Sequence, residues 1–315
     1  MGIEPLSDLA EHSTIIAVRY LIPFAESADR LSDLDVEVWD GSTPLPSVLD
    51  DVEFFVPPYT FDKKYHQPIV DMPALRVVQL LTAGYEHAMH LMRPGLLLAN
   101  ARGVHDASTA ELALTLTLAA QRNVAGYVRA ADQGLWVRDE RPSLADANVL
   151  IVGYGSIGEA IERRLAGFEV SVTRVARSAR DGVHPISDVV KLLPDADVVI
   201  LITPLTEETR GLVGADFLAA MKDGALLVNV ARGPVVDTDA LVAELTSGRL
   251  RAALDVTDPE PLPADHPLWS APNVLISPHV GGLTTAFYPR GRKLIEEQIR
   301  RYEAGEPLIN IVWPT

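Results

Sequence analysis

Three glycines and a few polar loop residues carry the chemistry legible in this sequence. Gly153, Gly155 and Gly158 form a G-x-G-x-x-G pattern within NVLIVGYGSIGEAIERRLAGF, with Ser156 and Ile157 between the last two. The pattern suits a dinucleotide, and each glycine has its own task. The first permits a tight turn. The second, lacking a Cβ, lets the backbone approach a pyrophosphate. The third lets the following helix sit close on the strand. The unpaired N–H groups and positive dipole end of that helix then face the phosphates. A bare glycine pattern is also what an ordinary tight turn shows, so the flanks decide. Residues 149–152 are wholly apolar, as in a buried parallel strand, and Ile157, Ile161 and Leu165 recur every four residues, as on a helix face.

Further along, three apolar runs each end in a polar loop. Residues 226–230 lead into NVARGPVVD, with Ala231 and Arg232. Residues 252–256 lead into DVTDPEP, with Asp255 and Glu260, and residues 274–276 into SPHVGG, with His279 and Gly281. In a doubly wound sheet the loops at the strand C-termini carry the site. An arginine, a carboxylate and a histidine are therefore expected to face one cleft beside the cofactor. Taken singly, Arg232 reads as a structural ion-pair partner, Glu260 as a solvated loop acid and His279 as a satisfied loop histidine. Their coincidence at three matching loops favours a site.

The elements that must position these groups follow from the apolar pattern. Residues 15–18, 36–39, 52–56, 77–81 and 96–99 read as strands, separated by Pro23, Gly41, Pro57-Pro58, Pro73 and Pro94-Gly95. Residues 14–100 are expected to alternate strands and helices in a small parallel sheet without a glycine fingerprint. Thr82-Ala83-Gly84-Tyr85 follows the strongest of these strands. Small residues there can leave N–H groups to hold a carboxylate, or can simply make a turn. Glu86-His87 and His90 have a metal-like look, but the order is not H-E-x-x-H and no third ligand stands out, so no metal is expected.

Residues 108–122, STAELALTLTLAAQR, form a long helix, apolar nearly all round and so buried, with Ser108 or Thr109 as its cap. Residues 133–147 are irregular, hold Trp136 and suit an interaction arm. From Val149 onward βα units repeat. The spacing predicts strands over 170–175 and 198–202, and helices starting at Ser187, Gly214 and Asp237. A closing helix over 284–304 precedes an apolar tail, PLINIVWPT, expected to pack back on the first domain.

The bulk numbers exclude several classes. A chain of 315 residues suggests two domains, and 48% hydrophobic with 22% charged residues supports real cores. With no cysteine there are no disulfides, thiolate metal sites or cysteine nucleophile, which suits a reducing cytoplasm. The N-terminal MGIEPLSDLAEHS has no signal-peptide pattern, and no run approaches the roughly 20 apolar residues of a membrane helix. A net charge of −16 argues against nucleic acid or an anionic membrane as partner.

The motifs N-x-A-R-G-x-x-V-D, D-V-x-x-x-E-P and P-H-x-G-G, with the glycine pattern and the order of elements, resemble the D-isomer-specific 2-hydroxyacid dehydrogenases over nearly the whole chain. Pro204-Leu205-Thr206-Glu207-Glu208-Thr209-Arg210 is similar to that family too. The resemblance implies an α/β architecture of two doubly wound parallel sheets. A flavodoxin-like substrate domain, residues 1–104 and 284–315, would carry an inserted Rossmann dinucleotide-binding domain, residues 105–283. It also implies a homodimer and an active-site cleft between the domains. Arg232 would bind the substrate carboxylate and polarise the keto oxygen. His279 would protonate that oxygen as hydride arrives, and Glu260 would hold His279 and favour its imidazolium. Ala83, Gly84 and Tyr85 match the loop whose backbone grips the carboxylate. Asp255 matches the residue that binds the nicotinamide amide. Thr203, Pro204, Ala231, His279 and Gly281 join the glycine loop as expected cofactor contacts.

One departure bears on the cofactor. Relatives that bind NAD place an acid at the end of the second strand, for the ribose 2′-hydroxyl. Here Ala176 falls there, followed by Arg177 and Ser178, with Arg174 and Arg180 nearby. A guanidinium can pair with a 2′-phosphate, so NADP is expected over NAD, with Arg177 as its reader and NAD still usable. The basic residues can also be solvated or stack on adenine. The first 100 residues hold few basic side chains, which disfavours a phosphorylated substrate. The expected function is reduction of a small 2-oxo acid, glyoxylate or hydroxypyruvate first, to a D-2-hydroxy acid. The alternative from another class is a cofactor-sensing interaction protein like the corepressors on this fold. The absence of a long tail or docking extension favours the plain enzyme.

Overall fold

A computed structural model describes residues 19–60 and 62–314. The chain forms two compact units. One takes the described residues up to Leu81, then Ala88–Ala99 and the stretch from Ile295 onward. The other takes Thr82–His87 and Asn100–Leu294.

The first unit opens with β1 (Arg19–Ile22), α1 (Ala25–Arg30), β2 (Asp35–Val38), β3 (Val52–Phe55), β4 (Val77–Gln79) and β5 (Leu97–Ala99). These strands are parallel, in the order β2-β1-β3-β4-β5, the flavodoxin-like arrangement. Tyr20, Leu21, Ile22, Phe54 and Phe55 are buried and form its centre. The strand expected over residues 15–18 lies outside the described residues; the first described strand begins at Arg19. The expected alternation with helices does not hold. Among the described residues before Ala99, α1 is the sole α-helix, and the other connections are loops and 3₁₀ turns at Lys63–Tyr65, Gln67–Asp71 and Glu86–Leu91. Prolines at 57, 58, 68, 73 and 94 remove donors and clash with a preceding turn, so α-helices cannot propagate there.

The second unit begins with α2 (Asp106–Gln121) and α3 (Val124–Asp132). Then come β6 (Asn148–Val152), α4 (Ser156–Leu165), β7 (Ser171–Ala176), β8 (His184–Pro185), α5 (Val189–Leu192) and β9 (Val198–Leu201). α6 (Ala215–Ala220), β10 (Leu226–Asn229), α7 (Thr238–Thr246), β11 (Arg251–Leu254) and β12 (Val274–Ile276) complete it. The seven strands are all parallel, in the order β12-β11-β10-β9-β6-β7-β8, the doubly wound arrangement. Both faces are covered, which is why the central strands read as unbroken apolar runs. Alternate residues serve the two faces. Leu150, Val152, Val199, Leu201 and Leu227 pack with Phe217, Leu218, Leu241 and Leu245 of α6 and α7. Val149, Ile151, Val198, Ile200 and Val228 pack with Ala113, Leu114, Ile161 and Leu165 of α2 and α4.

The long buried helix is present, but its expected cap is not. It starts at Asp106 with His105 at the cap position, and Ser108 sits inside the first turn, its hydroxyl donating to His105 O at 3.2 Å. The acid Asp106 occupies the dipole-favoured first turn and carries the helix two residues further back than the serine suggests. α3 was not anticipated. The stretch after it is irregular as expected, and Trp136 on it is 96% exposed. The helix expected from Ser187 is a 3₁₀ turn at Ile186–Asp188 followed by the single turn of α5.

The last helix, α8 (Phe287–Glu303), starts three residues later than expected, begins in the second unit and ends in the first. Within the first unit its buried Gln298 donates to Gln79 Oε1 at 2.7 Å and to Ile309 O at 2.9 Å, and accepts from Ile309 N at 2.9 Å. That amide aims the tail into β13 (Ile311–Trp313), which pairs antiparallel with β5, as its apolar sequence suggested.

Candidate active site and cofactor loop

The glycine turn joins β6 to α4 at the point where the strand order reverses, between β7 and β9. Gly153 has φ +108°, and a Cβ there would stand 2.5 Å from the carbonyl of Ile202 and 2.6 Å from Thr203 N. Both the conformation and the approach of β9's end exclude a side chain. Gly153 N and Tyr154 N each donate to Val175 O at 2.8 Å, tying the turn to β7. A Cβ on Gly158 would lie 3.0 Å from Gly153 O, so the third glycine seats α4 on the turn.

Gly155 differs: it caps α4, and nothing lies within 4 Å of where its Cβ would be. The open space faces the first turn of α4, where the N–H groups of Ser156, Ile157 and Gly158 have no preceding carbonyl to bond. Thr203, just past β9, is 7% exposed, and its Oγ1 has no hydrogen-bond partner among the described residues. Leaving a buried hydroxyl unmatched costs about 1–3 kcal/mol. An open glycine cradle, a helix N-terminus and an orphaned hydroxyl together fit a dinucleotide's phosphates and sugar. Pro204 follows Thr203 and is exposed; Ala231 is buried.

Ala176 is the last residue of β7, the position expected from the count, and Arg177 and Ser178 are exposed beyond it. The other two arginines have local partners. Arg174 Nε donates to Glu162 Oε2 at 2.8 Å, a second nitrogen bonds Glu162 Oε1, and the Tyr154 hydroxyl bonds the same carboxylate. Arg174 thereby holds the Glu162 carboxyl below the usual carboxylate range, and its own charge is matched. Arg180 bends back to donate to Tyr154 O at 2.5 Å, with its guanidinium 5.7 Å from the Tyr154 ring. Arg180 therefore lies at the glycine turn itself. Glu208 is held low chiefly by the Thr206 hydroxyl, with the charge of Arg177 contributing.

The polar loops are built from their own side chains. Asn229 is 1% exposed; its Oδ1 accepts from Ala231 N at 3.0 Å and its Nδ2 donates to Arg232 O at 3.1 Å. This closes the turn that presents Arg232. A Cβ on Gly233 would fall 1.9 Å from Thr257 O, so the loops after β10 and β11 touch there. Asp255, 3% exposed, accepts from Ser277 Oγ at 2.6 Å, Val280 N at 2.9 Å and Gly281 N at 2.9 Å. His279 itself has φ +53° and donates its N–H to Asp255 O at 2.7 Å. Its Nδ1 lies 2.5 Å from Glu260 Oε1. The expected histidine–acid pair is thus brought together, and Asp255 braces the loop that carries the histidine.

Arg232 Nη1 donates to Ala231 O at 2.7 Å, and its guanidinium lies over Gly84, where a Cβ would meet Nη2 at 1.8 Å. The Gly84 loop is tied through its carbonyls. Thr82 Oγ1 donates to Gly84 O at 2.7 Å and Asn100 Nδ2 to Ala83 O at 2.7 Å. The N–H groups of Gly84 and Tyr85 have no acceptor among the described residues. Within the second unit Gly84, between Ala83 and Tyr85 in the chain, therefore lies against Arg232. The unit also brings in Glu86, whose Oε1 is 3.9 Å from Arg232 Nε, a neighbour that sequence reasoning had set aside with the metal-like histidines. Among the described residues no three His, Asp or Glu side chains gather in a metal-binding group.

The family model described as D-isomer specific 2-hydroxyacid dehydrogenase, NAD binding domain, matches residues 114–281. Glyoxylate/hydroxypyruvate reductase B of Citrobacter koseri is 38% identical over 231 residues, 68% of this chain and 70% of that one. Among solved structures, the D-isomer specific 2-hydroxyacid dehydrogenase from Xanthobacter autotrophicus Py2 in complex with NADPH and MES superposes with TM-score 0.78 and 29% identity, over 95% of this chain and 98% of that one. The NADPH-dependent glyoxylate/hydroxypyruvate reductase from Sinorhizobium meliloti in complex with NADP and malonate gives TM-score 0.77 and 27% identity, over 94% and 97%.

Proposed function

Because the chain belongs to the D-isomer specific 2-hydroxyacid dehydrogenase family, we propose that it reduces a small 2-oxo acid to the D-2-hydroxy acid with NAD(P)H, glyoxylate and hydroxypyruvate being the favoured substrates. The observation that carries the site is the contact of His279 Nδ1 with Glu260 in the same unit as the glycine cradle.

The residues divide the work. Arg232, with the backbone N–H groups of Gly84 and Tyr85, holds the substrate carboxylate and polarises the adjacent keto oxygen. The nicotinamide, when bound, supplies hydride to the carbonyl carbon. His279 delivers a proton through Nε2 to the keto oxygen as that bond saturates, and takes it back in the reverse direction. Glu260 holds Nδ1–H, which orients the ring and offsets its positive charge. The amides of Ser156, Ile157 and Gly158 and the Thr203 hydroxyl hold the dinucleotide, with Pro204, Ala231 and Gly281 beside it. Asp255 supports the nicotinamide end by bracing the His279 loop.

NADP is the preferred cofactor, with NAD usable. Support comes from Ala176 in place of an acid, from exposed Arg177 and Ser178 next to it, and from Arg180 at the turn. The relatives from Xanthobacter and Sinorhizobium carry NADPH and NADP. Arg174 is left out of this reading because Glu162 already holds it.

A homodimer is part of the same proposal. Leu135, Trp136 and Val137 are exposed, Trp136 at 96%, on the arm after α3. A tryptophan buries 150–250 Å² when covered, and a second copy of this chain is the partner proposed for it; sedimentation of the parent and of Trp136→Ala tests this. The absence of cysteine suits a reducing compartment, the cytoplasm, and the net charge of −16 disfavours nucleic acid. No helix of the described residues is long and apolar enough to cross a membrane. The decisive test follows oxidation of NADH and NADPH with a panel of 2-oxo acids. Oxidation with glyoxylate or hydroxypyruvate is expected, and none with any of them overturns the reading.

A further inference from the structure

Glu86 has no part in the reaction just described, yet it stands at the arginine on which that reaction depends. Its Oε1 lies 3.9 Å from Arg232 Nε, and the two side chains are 30% and 28% exposed. At that separation the contact is one of charge and not a hydrogen bond. The fixed bond of the guanidinium runs instead from Nη1 to Ala231 O. Glu86 therefore neither clamps Arg232 rigidly nor is anchored by it. A Cβ on Gly84 would be 2.7 Å from Glu86 Oε2, so this carboxylate reaches the very strip of backbone proposed to receive the substrate's carboxylate.

The loops around this point carry little positive charge. Residues 82–87, 229–236, 257–261 and 277–282, the four loops of the site, contain a single Lys or Arg, Arg232. Glu86 offsets it. A monocarboxylate entering there adds one negative charge to a locally neutral pair. A substrate with two anionic groups adds at least two, and beside Arg232 these loops offer only the His279 ring, which already faces Glu260. An acid of two to four carbons spans less than about 6 Å by ordinary bond lengths. Its second anionic group thus falls within the screening length of about 8 Å from Glu86 at physiological salt, and the partly buried setting screens still less.

We propose that Glu86 is a specificity residue that selects substrates by charge: it admits 2-oxo monocarboxylates and rejects 2-oxo acids bearing a second carboxylate or a phosphate. The proposal rests on the reading of Arg232 as the carboxylate-binding residue. Like charges at such distances in a half-exposed site are expected to change selectivity by about tenfold.

The test is steady-state kinetics of the parent and of Glu86→Gln, which keeps the shape and removes the charge. Substrates are glyoxylate, oxaloacetate as the dicarboxylate and phosphohydroxypyruvate as the phosphate. In Glu86→Gln the kcat/KM of the two acids with a second anionic group relative to glyoxylate should rise about tenfold or more, mainly through KM, and the gain should shrink as salt is raised. A ratio within twofold of the parent's overturns the proposal. An equal loss on all three substrates overturns it as well, because it makes Glu86 a support for Arg232. Arg232→Lys separates the underlying reading. If that variant keeps the parent's KM for glyoxylate, the carboxylate-binding role of Arg232 fails, and the charge selection that rests on it fails too.

Discussion

Asp255 and His279 are joined through the main chain: Asp255 O accepts the His279 N–H at 2.7 Å, and the Asp255 carboxylate accepts from Val280 and Gly281, the next two residues. The proposed proton donor thus sits on a loop wound around one buried carboxylate. Hydrogen bonds to a charged acceptor are worth about 1.5–3 kcal/mol each. Asp255→Asn replaces one acceptor oxygen by an N–H donor that faces other donors. It should lower the urea midpoint and cut kcat at least about tenfold. Unchanged kcat would mean that the loop holds its shape without the carboxylate.

His279→Ala should reduce turnover by about 100-fold or more while leaving the NADPH dissociation constant within about twofold of the parent. Glu260→Gln removes the carboxylate that faces His279 Nδ1 and orients the ring. It should lower kcat about tenfold with the NADPH dissociation constant unchanged. A parent-like kcat would release Glu260 from its assigned role.

The two glycines of the turn should fail differently. Gly153→Ala places a Cβ 2.5 Å from the Ile202 backbone in a left-handed conformation, so the protein should melt at clearly lower temperature. Gly155→Ala meets nothing within 4 Å and should melt like the parent. Its methyl would enter the space assigned to the pyrophosphate, so the nucleotide dissociation constant should rise about tenfold or more. Equal melting temperatures for the two variants would contradict the geometry of the turn.

Cofactor choice should depend on Arg177. A charge-assisted pair with a 2′-phosphate is worth about 1.5–3 kcal/mol, on the order of tenfold to 100-fold. The parent should favour NADPH in kcat/KM, and Arg177→Ala should bring the ratio towards one. Arg174→Ala should leave it unchanged, because Glu162 already occupies that guanidinium.

The Arg174–Glu162 pair makes a pH-dependent contribution. The Glu162 carboxyl is held below its ordinary range by Arg174, so its stabilisation is present above the unfolded-state value, about 4.3, and is lost as pH falls through the folded-state value. Glu162→Gln should cost about 1 kcal/mol or less near neutral pH, as partly exposed pairs do. The gap from the parent should close in acid, which paired urea melts near pH 7 and pH 3.5 would register.

Much of the second unit was legible because its determinants are local. A four-residue apolar run, a glycine turn and a four-residue repeat identify β6, its turn and α4 without reference to anything distant. The loops with Arg232, Glu260 and His279 were found in the same way. What escaped depends on which elements meet in space. Glu162 and Arg174 sit on a helix and the strand after it, and nothing in their types says that their side chains converge. Glu86 read as part of a histidine cluster, because its neighbour Arg232 is 146 positions away. In the first unit, the apolar pattern found β2 to β5, but prolines decided the form of the connections. At α2 a serine looked like a cap, while an acid two positions earlier had already opened the helix.

Gly233 has a mechanical meaning. Its α-carbon rests against the Thr257 carbonyl with no room for a methyl, Thr257 Oγ1 bonds Pro259 O at 2.9 Å, and Thr238 Oγ1 reaches Asp258 O at 2.8 Å. Arg232 is one residue from the first contact and Glu260 one residue from Pro259. The strap that carries the guanidinium and the strap that carries the acid are therefore riveted together and must shift as one body. Any change that re-seats the arginine for a bulkier acid will also tilt the carboxylate behind the histidine. Redesigned substrate range and altered turnover should then be inherited together.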